Sequence, residues 1–332
     1  MVIDIHTHIF CPSVETLLSE HGGAPLTAYR RDMSIDSRHT DAEQAKLLQA
    51  PFNIVERRLD DMKRMGIDLQ VISPAPGQFH YRTGALVDQI SRMQNDHVAA
   101  RVAAAPHAFV GVGTLPMPDI AAAIREASRA VEQLGLRGFQ IDTLVNEIEL
   151  SDRSLDPLWT HLVRLDVPII IHPLGFSHGE RLGPFFMVNT VGQPLEEHIA
   201  FQHLVFGGVI DRHPELKVLI CHGGGYAPFY IGRLDHAWAH RPELKRLIAE
   251  PPSAYLKRFY FDSCVFRTDL IALLVTLAGP ERILMGSDYP FDMGDPDPVA
   301  TLNGCSTLSP AMRQMITGDN AKKLFKIAVD DQ

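Results

Sequence analysis

Eight short β-branched or apolar runs, each bounded by turn residues, alternate with longer helical patterns along nearly all of the 332 residues. This alternation constrains the fold more than any other feature of the chain. The strand candidates are residues 2–5, 69–73, 108–113, 136–141, 168–171, 216–221, 258–262 and 282–286. Between them, residues 55–65 carry Val55, Leu59 and Met62 on one helical face, and residues 120–134 carry Ile120, Ile124, Ala127 and Val131 at similar spacing. Residues 86–105, 155–165, 196–211, 242–249, 270–278 and 310–325 complete the helical set. Strand–helix alternation implies right-handed βαβ units and a parallel sheet. Eight units are the number that closes a (β/α)8 TIM barrel, an α/β fold. An open doubly wound sheet is the rival. It usually carries a Gly-rich phosphate loop after its first strand, where this chain has His6-Thr7-His8.

Two connections are too long for ordinary βα loops. Residues 11–52, between the first strand and first helix, form an insertion, polar around residues 32–40 and expected to cap the barrel mouth. Residues 173–194 follow the fifth strand and carry Gly175, Gly179, Gly183 and Gly192. Both are expected to overhang the face on which barrels build their active sites. No internal repeat, low-complexity tract or linker marks a second unit, so residues 1–332 read as one barrel domain with an insertion at about 11–52.

Charge narrows the function classes. The 31 Lys and Arg against 40 Asp and Glu give a net charge of −9, which offers no global field to nucleic acid or anionic lipid. The four cysteines (Cys11, Cys221, Cys264, Cys305) form no CxxC pair and are too sparse for a disulfide scaffold, which fits a reducing compartment. The start of the chain shows no basic and apolar signal pattern, and the longest apolar run, residues 270–278, is too short to span a bilayer. A cytoplasmic enzyme is expected.

The chemistry lies in what ends the strands. Strand one ends in His6-Thr7-His8, strand five in His172-Pro173, strand six in His222-Gly223 and strand eight in Asp288-Tyr289. Residues two apart on a strand share a face, so His6 and His8 both point inward and can hold one ion. Three imidazoles and a carboxylate suit Zn²⁺, with Mn²⁺ or Fe²⁺ acceptable to the same donors. Each piece alone has a plain structural explanation: an incidental His-x-His, a satisfied core histidine at His172, a tight turn at His222, a turn residue at Asp288. Four strand ends so furnished are hard to obtain from folding needs, because buried unpaired polar groups cost free energy.

At these residues the sequence resembles the amidohydrolase superfamily, and within it the branch of decarboxylases typified by α-amino-β-carboxymuconate-ε-semialdehyde decarboxylase. The matching stretches include Ile3-Asp4-Ile5-His6-Thr7-His8, Gly111-Val112-Gly113-Thr114-Leu115-Pro116-Met117, Val145-Asn146-Glu147, His172-Pro173, Gly207-Gly208-Val209, Leu216-Lys217-Val218, His222-Gly223-Gly224-Gly225 and Asp288-Tyr289-Pro290-Phe291. The resemblance implies one divalent ion on His6, His8, His172 and Asp288, with His222 as acid/base residue and Asp288 also relaying a proton. One ion rather than two agrees with residues 136–143, which lack the bridging lysine of two-metal relatives. The resemblance further implies that Arg233, eleven residues after His222, reaches the neighbouring subunit's site in a homodimer; a surface salt bridge is its plainer alternative. Phe291 is expected beside the substrate. Gln78-Phe79-His80-Tyr81 is expected to add contacts, His80 among them, although Phe79 and Tyr81 suit loop packing equally.

The chain also departs from that pattern. The branch's second carboxylate-binding arginine has no matching motif here, and Arg30, Arg31 and Arg38 are the candidates. The stretch Leu174-Gly175-Phe176-Ser177-His178 follows strand five, and Asn189 stands where the branch has a tryptophan before Val191-Gly192. A substrate other than the muconate semialdehyde is therefore expected, within the class of small aromatic or dienoic carboxylic acids. A hydrolase acting on an amide, lactone or C–C bond is the competing activity, because one fold and metal site serve several chemistries. A barrel that only binds ligand would have little use for the full donor set.

Overall fold

The computed structural model describes residues 1–22, 31–78, 84–174, 176 and 179–328. Among the described residues, eight parallel strands alternate with helices: β1 (Ile3–Ile9), β2 (Leu69–Pro74), β3 (Phe109–Gly111), β4 (Phe139–Ile141), β5 (Ile169–Ile171), β6 (Val218–Ile220), β7 (Phe259–Asp262) and β8 (Ile283–Leu284). They pair as two arcs, β1 to β3 and β4 to β8. Bridges between Gly113 and Phe139 and between Thr7 and Tyr289 join the arcs at both seams. At the first seam Gln140 N–H donates to Gly113 O at 2.8 Å; at the second His8 N–H donates to Tyr289 O at 2.8 Å. The barrel is closed, as the alternation requires. A small hairpin, Leu144–Val145 with Ile148–Glu149, follows β4.

Alternation along each strand sorts side chains into two shells. Val71, Val112, Ile170, Leu219 and Leu284 fill the barrel with Ile3 and Ile5, and Ala321, Leu324 and Phe325 of helix Asn320–Phe325 seal its N-terminal end. Ile72, Phe139, Ile169, Ile171, Val218, Ile220, Phe259 and Phe261 face outward into the helical layer. Strands buried on both faces read as continuous apolar runs, which is why they were visible in the sequence.

β1 breaks the alternation at one point, and the site depends on it. Asp4 pairs with Gln70 but Thr7 pairs with Ile72, so Ile5 and His6 together oppose the single residue Val71. This is a β-bulge. Ile3 and Ile5 fill the barrel below it, and above it the phase has moved by one, so that His6 and His8 point inward as well.

Several boundaries differ from the sequence reading. β1 continues through the His-x-His to Ile9 and β2 runs one residue past its expected end to Pro74, whereas β3 to β8 are shorter than their apolar runs. The 11–52 insertion is largely helical, with helices Pro12–Glu20 and Ile35–Asn53. The second has no buried residue and thus no apolar stripe to read; it starts at Ser34, whose hydroxyl accepts from Ser37 N–H. Ser34 N–H donates to Gly183 O at 3.2 Å, so the insertion rests on the long segment after β5. The helix expected at 242–249 is only a turn, Pro242–Lys245; the helix here is Ile231–His240, whose two buried residues, Ile231 and Leu234, make too brief a pattern to recognise. Among the described residues no helix is long and apolar enough to cross a membrane.

Candidate metal centre

The five residues that the sequence singled out at strand ends meet at the C-terminal mouth of the barrel. Ring centroids of His6, His8 and His172 lie 4.9 to 5.1 Å apart, and His222 is 5.1 Å from His6 and 5.0 Å from His172. Asp288 enters among them. Its Oδ1 is 3.3 Å from His6 Nε2, 3.1 Å from His8 Nε2 and 3.8 Å from His172 Nε2, and its Oδ2 is 3.5 Å from His222 Nε2.

The partners of the opposite ring nitrogens decide the tautomers. His172 Nδ1 lies 2.9 Å from Pro173 O, which only accepts, so the proton sits on Nδ1. His6 Nδ1 is 2.6 Å from an Asp262 oxygen; despite burial, hydrogen bonding and charge on His6 hold that carboxyl below its usual pKa, so Nδ1 donates here too. Ser73 Oγ, 3.2 Å from His8 Nδ1, directs its own proton to Gln140 Oε1 at 2.8 Å and therefore accepts from His8. Gln140 is oriented in turn by Pro74 O, to which its amide nitrogen donates. All three rings thus turn Nε2 toward the same small space. Burial pushes His8 down to about 4 and His172 down to about 3, so both are neutral near pH 7.

This arrangement fits a divalent cation. His6 Nε2 and His172 Nε2 are buried without a hydrogen-bond partner among the described residues, a costly condition that an ion would relieve. Nitrogen and oxygen atoms of His6, His172, His222 and Asp288 all lie within 4.8 Å of one another. Lone-pair nitrogens with their far sides pinned by oxygens are the usual environment of metal-binding histidines.

Two buried carboxylates were missed by the sequence reading. Asp262, the last residue of β7, accepts from His6 Nδ1 and also from the backbone N–H groups of His222, Gly223 and Cys264 at 2.8 to 3.1 Å. Gly286 makes room for this pairing, since a Cβ there would lie 2.8 Å from His6 Cβ and 2.9 Å from Asp262 Cβ. A polar residue ending an apolar strand was the same signal that revealed His172, and it could have revealed Asp262. Glu197, in helix Gln193–Phe206, is fully buried and its Oε1 is 2.7 Å from His222 Nδ1. Burial pushes Glu197 up to about 7 against the pull of His222. Burial likewise resists charge on His222, but Glu197 and Asp288 outweigh it and hold the imidazole well above its ordinary value.

Behind the donors, Asp4 locks β1 to the segment after β8, accepting from Ser287 Oγ at 2.5 Å and Ser287 N–H at 3.0 Å. Buried Arg58 donates to His8 O and to Gln70 Oε1, and its guanidinium stacks 4.8 Å over the Tyr289 ring. On the open side, Phe291 sits 5.3 Å from the His8 ring, with Phe52 5.4 Å beyond it and Phe10 6.1 Å from Phe52. Phe52, near the end of the insertion helix, was not anticipated.

Of the remaining candidates, those among the described residues do not join the centre. Arg233 is exposed on helix Ile231–His240 and lines an outward groove of about 570 Å³ with Leu195, His198, Tyr226 and Tyr230. None of the metal-site donors lines that groove. Arg31 pairs with Asp32 at 2.8 Å, and Arg38 is exposed on helix Ile35–Asn53. His80, Phe79, Tyr81, Arg30, Gly175, Ser177 and His178 lie outside the described residues.

The amidohydrolase family model matches residues 3–327. A 2-amino-3-carboxymuconate-6-semialdehyde decarboxylase of Dictyostelium discoideum is 32% identical over 96% of this chain and 90% of its own length. A gamma-resorcylate decarboxylase of a Polaromonas species is 30% identical over 86% of this chain and 92% of its own. A crystal structure of a dihydroxybenzoic acid decarboxylase from Polaromonas, with bound manganese and the inhibitor 2-nitroresorcinol, superposes with a TM-score of 0.80 at 25% identity, covering 99% of this chain and 98% of that one. On this footing the chain belongs to the amidohydrolase family, in its decarboxylase branch.

Proposed function

We propose that this chain is a metal-dependent, non-oxidative decarboxylase of a small aromatic or dienoic carboxylic acid. The observation that carries the reading is the convergence of three Nε2-directed imidazoles on one Asp288 oxygen at the mouth of the barrel. The decarboxylases among its relatives support the same chemistry. His6, His8, His172 and Asp288 would hold one divalent ion, zinc first and manganese next by donor chemistry. Bound there, such an ion would supply Lewis acidity toward the oxygens of a carboxylate substrate.

The protein's own groups do the rest. Loss of CO₂ breaks the bond between the carboxylate and its carbon, and that carbon must gain a proton, so the pocket needs a proton donor beside it. Asp288 delivers that proton from the face it shares with the imidazoles, and His222, whose Nε2 lies 3.5 Å from Asp288 Oδ2, resupplies it. Phe291 and Phe52, packed edge to face, offer an apolar wall against which a conjugated acid would lie. Residues 11–52 act as a cap over this space, and His80 is retained as a substrate contact.

A carboxylate substrate also calls for a cation, and Arg233 faces away from its own centre. We propose that it enters the site of a second subunit in a homodimer, where its planar fork grips the carboxylate. The enzyme would work in the cytoplasm.

A metal-supplemented screen of hydroxylated, aminated and dienoic carboxylates should find an acid that releases one CO₂ per turnover, with the rate abolished by a chelator and restored by the ion. Incorporation of water without CO₂ release would favour the hydrolase. His172→Ala should lose both metal and turnover, whereas His222→Ala should keep metal, by elemental analysis, and lose at least about 100-fold in kcat. A fully metallated His172→Ala or an undiminished His222→Ala would contradict these roles. Arg233→Ala should raise KM about tenfold or more. In mixed dimers it should be rescued by pairing with a His222→Ala subunit; absence of rescue would place Arg233 outside the partner's site.

A further inference from the structure

We infer that Glu197 is the positioning residue of His222, holding the Nδ1–H so that Nε2 alone faces Asp288 and the substrate. The inference rests on the acid/base role proposed for His222 and extends it to a residue in another element, 25 positions away.

A fully buried carboxylate is costly to keep unless its charge is used. The hydrogen bond made by Glu197 Oε1 goes to His222 Nδ1, and Oε2 has no partner among the described residues. The side chain is therefore committed to the imidazole. The backbone of His222 is fixed separately, because its N–H donates to Asp262 Oδ2 at 3.0 Å. One carboxylate holds the main chain and the other sets the ring about its remaining torsion.

The glycine run after His222 acquires a purpose from this contact. Gly225 adopts φ +58°, and a Cβ there would lie 2.2 Å from Pro194 O and 2.9 Å from Glu197 Oε2. Any side chain at this position would push the loop off the first turns of helix Gln193–Phe206 and separate His222 from Glu197. His222 itself has φ +49°, a strained conformation for a residue other than glycine, of the kind that clusters at functional sites. With Nδ1–H committed to Glu197, Nε2 is the only ring atom left to accept or give a proton, at 3.5 Å from Asp288 Oδ2.

The test compares Glu197→Gln, His222→Gln and the double variant, each checked for metal content and thermal melting. Glu197→Gln should keep its metal and a KM within about threefold of the parent while kcat falls by about 10- to 100-fold. On the His222→Gln background the same change should alter kcat by less than about twofold, because a residue acting only through His222 has nothing left to act on. A parental kcat in Glu197→Gln, or a full additive loss in the double variant, would overturn the positioning role while leaving the decarboxylase reading intact. A parental kcat in His222→Gln would instead remove the acid/base role on which the inference rests. Nitrogen-15 NMR of the histidine-labelled parent enzyme needs no variant: a His222 Nδ1 that carries its proton throughout the active pH range is expected, and a bare Nδ1 would refute the assignment.

Discussion

Lone pairs buried without hydrogen must be matched, and the top of this barrel is built around that demand. Oxygen atoms of Asp262, Ser73 and Pro173 take the Nδ1 protons of His6, His8 and His172, and so the Nε2 atoms turn toward a common point. Burial works against charge on Asp288, but the imidazoles around it hold its carboxyl well below the ordinary value, so it has no proton of its own to offer them. A cation is the chemical species that satisfies all of them at once. The bulge at Ile5-His6, the space left by Gly286 and the Asp4–Ser287 clasp all serve to keep this geometry.

The donors sit at strand ends of a closed sheet, while the groups proposed to face substrate come from connections. Phe52 arrives on the insertion helix and Phe291 on the turn after Asp288, so the proposed binding wall comes from two connections that pack against each other beside the His8 ring. This division suits a family in which the same centre processes different acids. Strands and the turns that end them hold the donor geometry, and loops can alter the pocket without disturbing it. Asp262 links the two layers, tying the His6 ring to the backbone that carries His222.

Most of the scaffold was legible in sequence because parallel strands covered on both faces must be apolar throughout, and a histidine or aspartate closing such a run stands out. The eight-fold alternation, the closed barrel and the residues brought together at its mouth all followed from that contrast. What escaped had no such contrast. Glu197 lies in a helix where glutamate is ordinary, and only the tertiary contact reveals that its face is turned inward. Helix Ile35–Asn53 escaped because it buries nothing and so carries no periodic apolar signal. The bulge in β1 was hidden because two inward residues in succession, Ile5 and His6, are distinguishable only through the register with β2. The spacing argument for His6 and His8 reached the right face, but it could not see that the rest of the strand is out of phase with them.

Anomalous diffraction from crystals of the protein grown with zinc or manganese tests the central claim most directly. The expected map has one ion per chain at about 2.0–2.3 Å from Nε2 of His6, His8 and His172 and from an Asp288 oxygen. A saturated crystal with no anomalous peak among these four side chains, or with the ion bound elsewhere, would contradict it.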